Sequence, residues 1–137
     1  MNDKIFLDTN ILVYALDNKN PRKRDIAREV LRKLSKSKSA TLSTQILQEY
    51  FVVATKKLGI EPLVAKKLIN LFQNFEIIVP DLTLINTAID TLILNKLSFW
   101  DSMVIVAAAQ ANCSAILTED LNNGQIINGV KIVNPFI

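Results

Sequence analysis

The sequence predicts an α/β domain on a mainly parallel sheet, and three observations carry that prediction. Short strand-like runs alternate with longer stretches of helical periodicity. Helix-opening residues (prolines, serines, an aspartate) stand at the start of most of those longer stretches. Half of the 137 residues are apolar, enough for one sizeable core and too many for a disordered chain.

Taken in order, the strand candidates are Lys4–Leu7, Ala40–Leu42, Glu76–Val79, Ala115–Leu117 and Val130–Val133, which makes a sheet of five. Between the first two, Pro21 fits a first helical position, and Ile26, Val30, Leu31 and Leu34 form one apolar stripe. Ser43 or Thr44 can cap a helix reaching about Leu58, with Gly59 just past its end. Pro62 opens another to about Phe72; Asp81 or Thr83 caps one through Asn95; Ser98 caps one through Ala111. Alternation of this kind makes the strand C-termini and the N-termini of the following helices share one edge of the sheet. Layered α/β folds place their sites at that edge.

Several classes of chemistry are excluded. The chain has no histidine, one cysteine (Cys113) and three scattered glycines. It therefore lacks a histidine base, a cysteine zinc cluster, an internal disulfide and the glycine-rich loops that cradle dinucleotides or nucleoside triphosphates. Cys113 reads as a small buried apolar residue. The longest unbroken apolar run, Met103–Ala109, is far short of a membrane span, and the opening MNDKIFLDTN has no signal-peptide pattern. A cytoplasmic protein without membrane contact is the expectation.

The net charge of +3 is unevenly distributed. Residues 19–38 hold nine of the sixteen basic side chains, opposed only by Asp25 and Glu29. That segment is either a solvated helix face or a stripe for nucleic-acid phosphates, with Arg22, Lys23, Arg24 and Arg28 as the contacts.

Four acids fall at the sheet edge. Asp8 follows the first strand, inside the apolar context IFLDTNIL. Glu49 lies within the first two turns of its helix, Asp101 three residues after the cap Ser98, and Asp120 just past the strand AIL. Each has an ordinary explanation: a turn acceptor for Asp8, a half-exposed helix residue for Glu49, a capping-box partner for Asp101, a loop acid for Asp120. No ordinary explanation covers all four. Two carboxylates ~5–6 Å apart at an effective dielectric of ~20 repel by about 3 kcal/mol, so a cluster needs a cation. All-oxygen donors point to Mg²⁺, with Mn²⁺ as a substitute. A hard ion beside a basic stripe suggests phosphodiester hydrolysis by metal-activated water.

At these residues the sequence resembles the PIN-domain ribonucleases, most closely the VapC-type toxins of prokaryotic toxin–antitoxin pairs. The matching pieces are FLDTNILVYALD (6–17), STQILQEYFVV (43–53), LSFWDSMVIVAAAQANCSAILTEDL (97–121) and NNGQ (122–125), in the family's order. The resemblance implies one PIN domain over residues 1–137, with a Rossmann-like, three-layer α/β/α fold. It implies catalytic and metal-site roles for Asp8, Glu49, Asp101 and Asp120, with Thr9, Asn10 and Thr118 in support. TED at 118–120 leaves Glu119 open as the fourth acid, although the T-x-D spacing favours Asp120. Also implied are Mg²⁺-dependent endonuclease action on RNA, a homodimer and a cognate antitoxin, of a kind that commonly blocks the acidic pocket with a basic side chain.

Two other readings compete. A phosphotransferase or receiver domain would use Asp8 as nucleophile or acceptor, but the second aspartate a phosphatase wants two residues on is Asn10, and the N-terminus lacks an acidic pair. A non-catalytic nucleic-acid-binding module would use the basic 19–38 helix alone, with no need for metal.

Overall fold

The computed structural model describes residues 3–137. Along the chain run β1 (Ile5–Leu7), α1 (Thr9–Tyr14), α2 (Pro21–Ser37), β2 (Ala40–Ser43), α3 (Thr44–Lys56), α4 (Pro62–Leu71) and β3 (Glu76–Ile78). There follow α5 (Leu82–Asn95), α6 (Phe99–Gln110), β4 (Ala115–Leu117), β5 (Ile126–Ile127) and β6 (Val130–Val133).

The strands form one sheet in the order β3–β2–β1–β4–β6–β5, parallel throughout except for β5. The α/β class and the parallel sheet agree with the sequence. The strand count is corrected from five to six. β5 is a two-residue strand that pairs antiparallel with β6 across Asn128 and Gly129, both at positive φ. That is the backbone a two-residue hairpin turn demands, and Asn-Gly is its usual sequence. Two residues are too few to show any periodicity, so only the turn announced the strand.

A second correction is α1. The residues after Asp8 expected as a turn form a six-residue helix, in which Ile11, Leu12 and Val13 are all buried. Six residues make less than two turns, too few for a 3.6-residue pattern to register. Elsewhere the capping signals hold: Asp81 accepts from Leu84 N–H at 2.8 Å, Ser98 from Asp101 N–H at 3.0 Å and Ser43 from Ile46 N–H at 3.4 Å.

The core gathers Phe6, Leu7, Ile11, Leu42, Ile46, Ile105, Ile116 and Ile132, all fully buried. Residues 102–108 of α6 are buried on every side, while α2 buries only Ala27 completely. Among the described residues no single helix is long and apolar enough to cross a membrane.

One feature of the topology positions the site. From β1 the chain moves outward on one side to β2 and β3, and then returns to place β4 on the other side of β1. With right-handed crossovers, the two sets of connections cover opposite faces of the sheet. A crevice opens where the order reverses, beyond the C-terminal ends of β1 and β4.

Candidate active site

Asp8 stands at that reversal. Its backbone N–H still bonds the Leu117 carbonyl at 3.1 Å, continuing the β1–β4 ladder, while its carboxylate turns to cap α1. Oδ1 accepts from Thr9 N–H at 2.8 Å and Oδ2 from the Thr118 hydroxyl at 2.8 Å. The residue is 9% exposed. Burial pushes its pKa up to about 6; the Thr118 and Thr9 hydrogen bonds pull it down, and the charges of Glu49 and Asp120 add to the rise.

Thr118 is the hub beneath the site. Its hydroxyl donates to Asp8 and accepts from Asn10 Nδ2 at 3.2 Å and from Asp120 N–H at 3.1 Å. One donor and two acceptors are the full capacity of a hydroxyl. Asn10 Nδ2 reaches Asp120 Oδ2 as well, at 3.1 Å. Four residues from two strand ends are thus locked together, and each comes from the DTN or T-x-D segment of the sequence.

Above them lies a cleft of about 290 Å³, lined by Thr9, Asn10 and Tyr14 of α1, Glu49 of α3, and Asp17, Lys57, Glu119 and Asp120. A larger cleft at the opposite edge of the sheet, beside Lys38 and Phe72, contains no carboxylate. Glu49 is reached through Gln45, whose amide donates to Glu49 Oε1 at 2.9 Å and to the Trp100 carbonyl at 3.3 Å. Gln45 thereby ties α3 to the first turn of α6, where Asp101 sits. Asp101 does not line the cleft wall. Its N–H is bonded to Ser98 Oγ, yet among the described residues its carboxylate has no partner, so the reciprocal half of a capping box is missing.

Glu49 and Asp120 therefore face one cleft with Asp8 beneath it, close enough for their charges to act on its carboxyl, while Asp101 lies off the cleft, next to the Trp100 carbonyl that Gln45 bonds. Among the described residues no three carboxylate, thiol or imidazole groups are drawn close enough to form a ready-made metal cage. The donor set still fits a hard cation. Two cleft-lining oxygens, Thr9 Oγ1 and Asn10 Oδ1, are buried without a partner among the described residues. Unpaired oxygens next to a buried carboxylate suit an ion or its waters. Mg²⁺ keeps several waters and takes only one or two carboxylates directly, so a loosely drawn site is the kind it uses.

Glu119, the competing fourth acid, is engaged elsewhere: Lys23 Nζ lies 2.8 Å from Oε2, and the Tyr14 hydroxyl donates to Oε1 at 2.5 Å. Although partly desolvated, its carboxyl is held below the usual range by those bonds. The sequence reading missed three cleft residues, Tyr14, Asp17 and Lys57. Asp17 is held below its ordinary value by bonds from Asn20 Nδ2 and Lys19 N–H. Tyr14 and Asp17 lie within the quoted segment FLDTNILVYALD, but only a helix over 9–14 aims them at the cleft.

The basic residues of α2 are also placed. Arg22 donates to the Phe136 carbonyl, Arg24 to Asp25 (3.1 Å) and Asn18 (3.0 Å), and Arg28 to the Ala15 carbonyl (2.8 Å).

A toxin–antitoxin complex from Klebsiella pneumoniae superposes with a TM-score of 0.72 at 19% identity, over 96% of this chain and 98% of that one. VapBC2 from Rickettsia felis, solved bound to a DNA fragment from its promoter, gives 0.68 at 22% identity, over 93% and 96%. Mycobacterium tuberculosis VapC20, described as a sarcin-ricin-loop-cleaving toxin, gives 0.66 at 19% identity, over 82% and 87%. At such identities the likeness is one of fold. No match is found among curated proteins. The PIN domain model, however, matches residues 5–125, from β1 through the acidic segment after β4, and on that match the chain belongs to the PIN domain family.

Proposed function

We propose that this protein is a Mg²⁺-dependent endoribonuclease, with Mn²⁺ as a substitute, and the toxin of a type II toxin–antitoxin pair. The observation that carries the reading is Asp8: a buried carboxylate at the sheet's reversal point, raised to about 6 by burial and crowded by the charges of Glu49 and Asp120. A chain retains such a costly group where a cation neutralises it. The toxin–antitoxin proteins of the same fold support the partner assignment.

Asp8, Glu49, Asp101 and Asp120 would hold the ion. When bound, it supplies charge neutralisation and activates water for attack on phosphate. Thr118 and Asn10 keep Asp8 and Asp120 in register, and Gln45 orients Glu49. With no histidine in the chain, a carboxylate oxygen would be the chain's own acceptor for the proton released on hydrolysis, unless the metal-activated water carries it. Arg22, Arg24 and Arg28 each commit one or two of five guanidinium N–H groups to the fold, leaving donors for RNA phosphates. Lys23, grouped with them on sequence, is bound more completely. A cognate antitoxin, a homodimer and cytoplasmic action complete the proposal.

Calorimetric titration of Mn²⁺ into wild type and Asp101→Asn tests the reading without a guess about the RNA. Binding by the wild type that is lost in the variant is expected. Equal binding in both, or none in either with RNA added, would favour the non-catalytic binding module.

A further inference from the structure

Lys23 is not a free cation. Besides its 2.8 Å ion pair with Glu119, its Nζ lies 3.3 Å from the Tyr14 hydroxyl, 4.8 Å from the Tyr14 ring centre and 5.5 Å from that of Phe136. Tyr14 and Phe136 meet edge to face with centroids 5.1 Å apart. The neighbouring Arg22 donates to the Phe136 carbonyl. The cluster around this carboxylate therefore joins α1, the start of α2 and the segment after β4, and through Tyr14, Lys23 and Arg22 the C-terminal segment.

That carboxylate belongs to Glu119, the residue before Asp120. Both Glu119 oxygens are bonded to Lys23 and Tyr14, while Asp120 is held on its other side by Thr118 and Asn10. Fixing two adjacent residues in different directions removes the rotation by which they could exchange places. We propose that Lys23 and Tyr14 are positioning residues of the carboxylate site: by engaging both oxygens of Glu119, which also lines the cleft, they leave Asp120 as the carboxylate offered to a metal. The inference rests on the metal-site reading above and assigns Lys23 a role other than phosphate contact.

Electrostatics and positioning predict opposite signs. Removing the Lys23 charge beside a cation site would by itself raise metal affinity. Positioning requires a fall. Mn²⁺ titration should show Lys23→Met and Tyr14→Phe each weakening binding by about tenfold, the loss typical of outer-shell partners. Tyr14→Phe changes no charge and keeps the ring packing, so its circular dichroism spectrum should stay at the wild-type form. Lys23→Arg should restore most of the affinity. In a Glu119→Gln background, Lys23→Met should have no further effect. Unchanged or tighter Mn²⁺ binding in Lys23→Met and Tyr14→Phe overturns the inference alone, and so does full additivity with Glu119→Gln. Absence of Mn²⁺ binding in the wild type removes the metal site and this inference with it.

Discussion

The carboxylate cleft and helix α2 are both dense in charge, but they treat it differently. On α2 most cations are paired or tied down: Arg24 by Asp25, Arg32 by Glu29 at 2.7 Å, Lys23 by Glu119, Arg28 by a carbonyl. At the cleft Glu49 and Asp120, and Asp8 beneath it, receive hydrogen bonds but no counter-ion within salt-bridge range among the described residues. The stripe of highest charge density in the sequence is thus the better satisfied region. Carboxylates without a counter-ion gather instead at the sheet edge, where the segments carrying Asp8, Glu49 and Asp120 meet. A buried carboxylate without a counter-ion, as at Asp8, is a stronger pointer to a ligand than charge abundance.

The comparison breaks most sharply at Asp8. Asp8→Asn should reduce RNA cleavage by more than the ~10–100-fold typical of a supporting residue, with the fold intact by circular dichroism. Undiminished cleavage would place the chemistry elsewhere. The same variant reads out the burial cost. A carboxyl at about 6 in the folded chain and at 3.8 unfolded makes the native state bind more protons between those values. Its stabilising contribution is complete below about pH 4 and is lost as pH rises through 6, by about 3 kcal/mol in all. Urea unfolding of the metal-free wild type at pH 4 and pH 7 should show that loss on top of the protein's other titrations. Asp8→Asn should lack it, and equal differences in the two proteins would contradict the burial argument.

On the α2 side, the effect is smaller and shared. Reversing Arg22, Arg24 and Arg28 to Glu should weaken RNA binding and flatten its salt dependence, the slope falling by about 2 for three single-strand phosphate contacts. An unchanged slope would return the helix to a solvated face. Smallest of all should be Ser98→Ala, which removes the cap of α6 beneath Asp101 and costs about 1 kcal/mol in thermal unfolding. No loss there would mean that the buried flanks of α6, and not its cap, set its start.

Much of this was legible residue by residue. Pro21, Ser43, Pro62, Asp81 and Ser98 marked helix starts because capping and the missing proline N–H act within one turn. Asp8 and Asp120 stood out because a carboxylate among core-forming residues contradicts its surroundings. Helix α1 and strand β5 were not legible, being too short for periodicity to register. Glu119 against Asp120 stayed open because neighbouring residues in an irregular segment carry no facing rule. Tyr14 and Lys23, from outside that segment, distinguish the two positions in space.

By itself the sequence determined which groups are available: carboxylates, amides and hydroxyls with no histidine and one thiol, on an alternating α/β pattern. These follow from composition and short-range preference, which act over one helical turn or one strand. Only the tertiary structure decided which charges are left over. The reversal of strand order beside β1 brings Asp8 to Thr118, 110 residues apart, and Lys23 to Glu119, 96 apart. No local preference spans such distances, because pairing at that range is chosen by how the whole core packs.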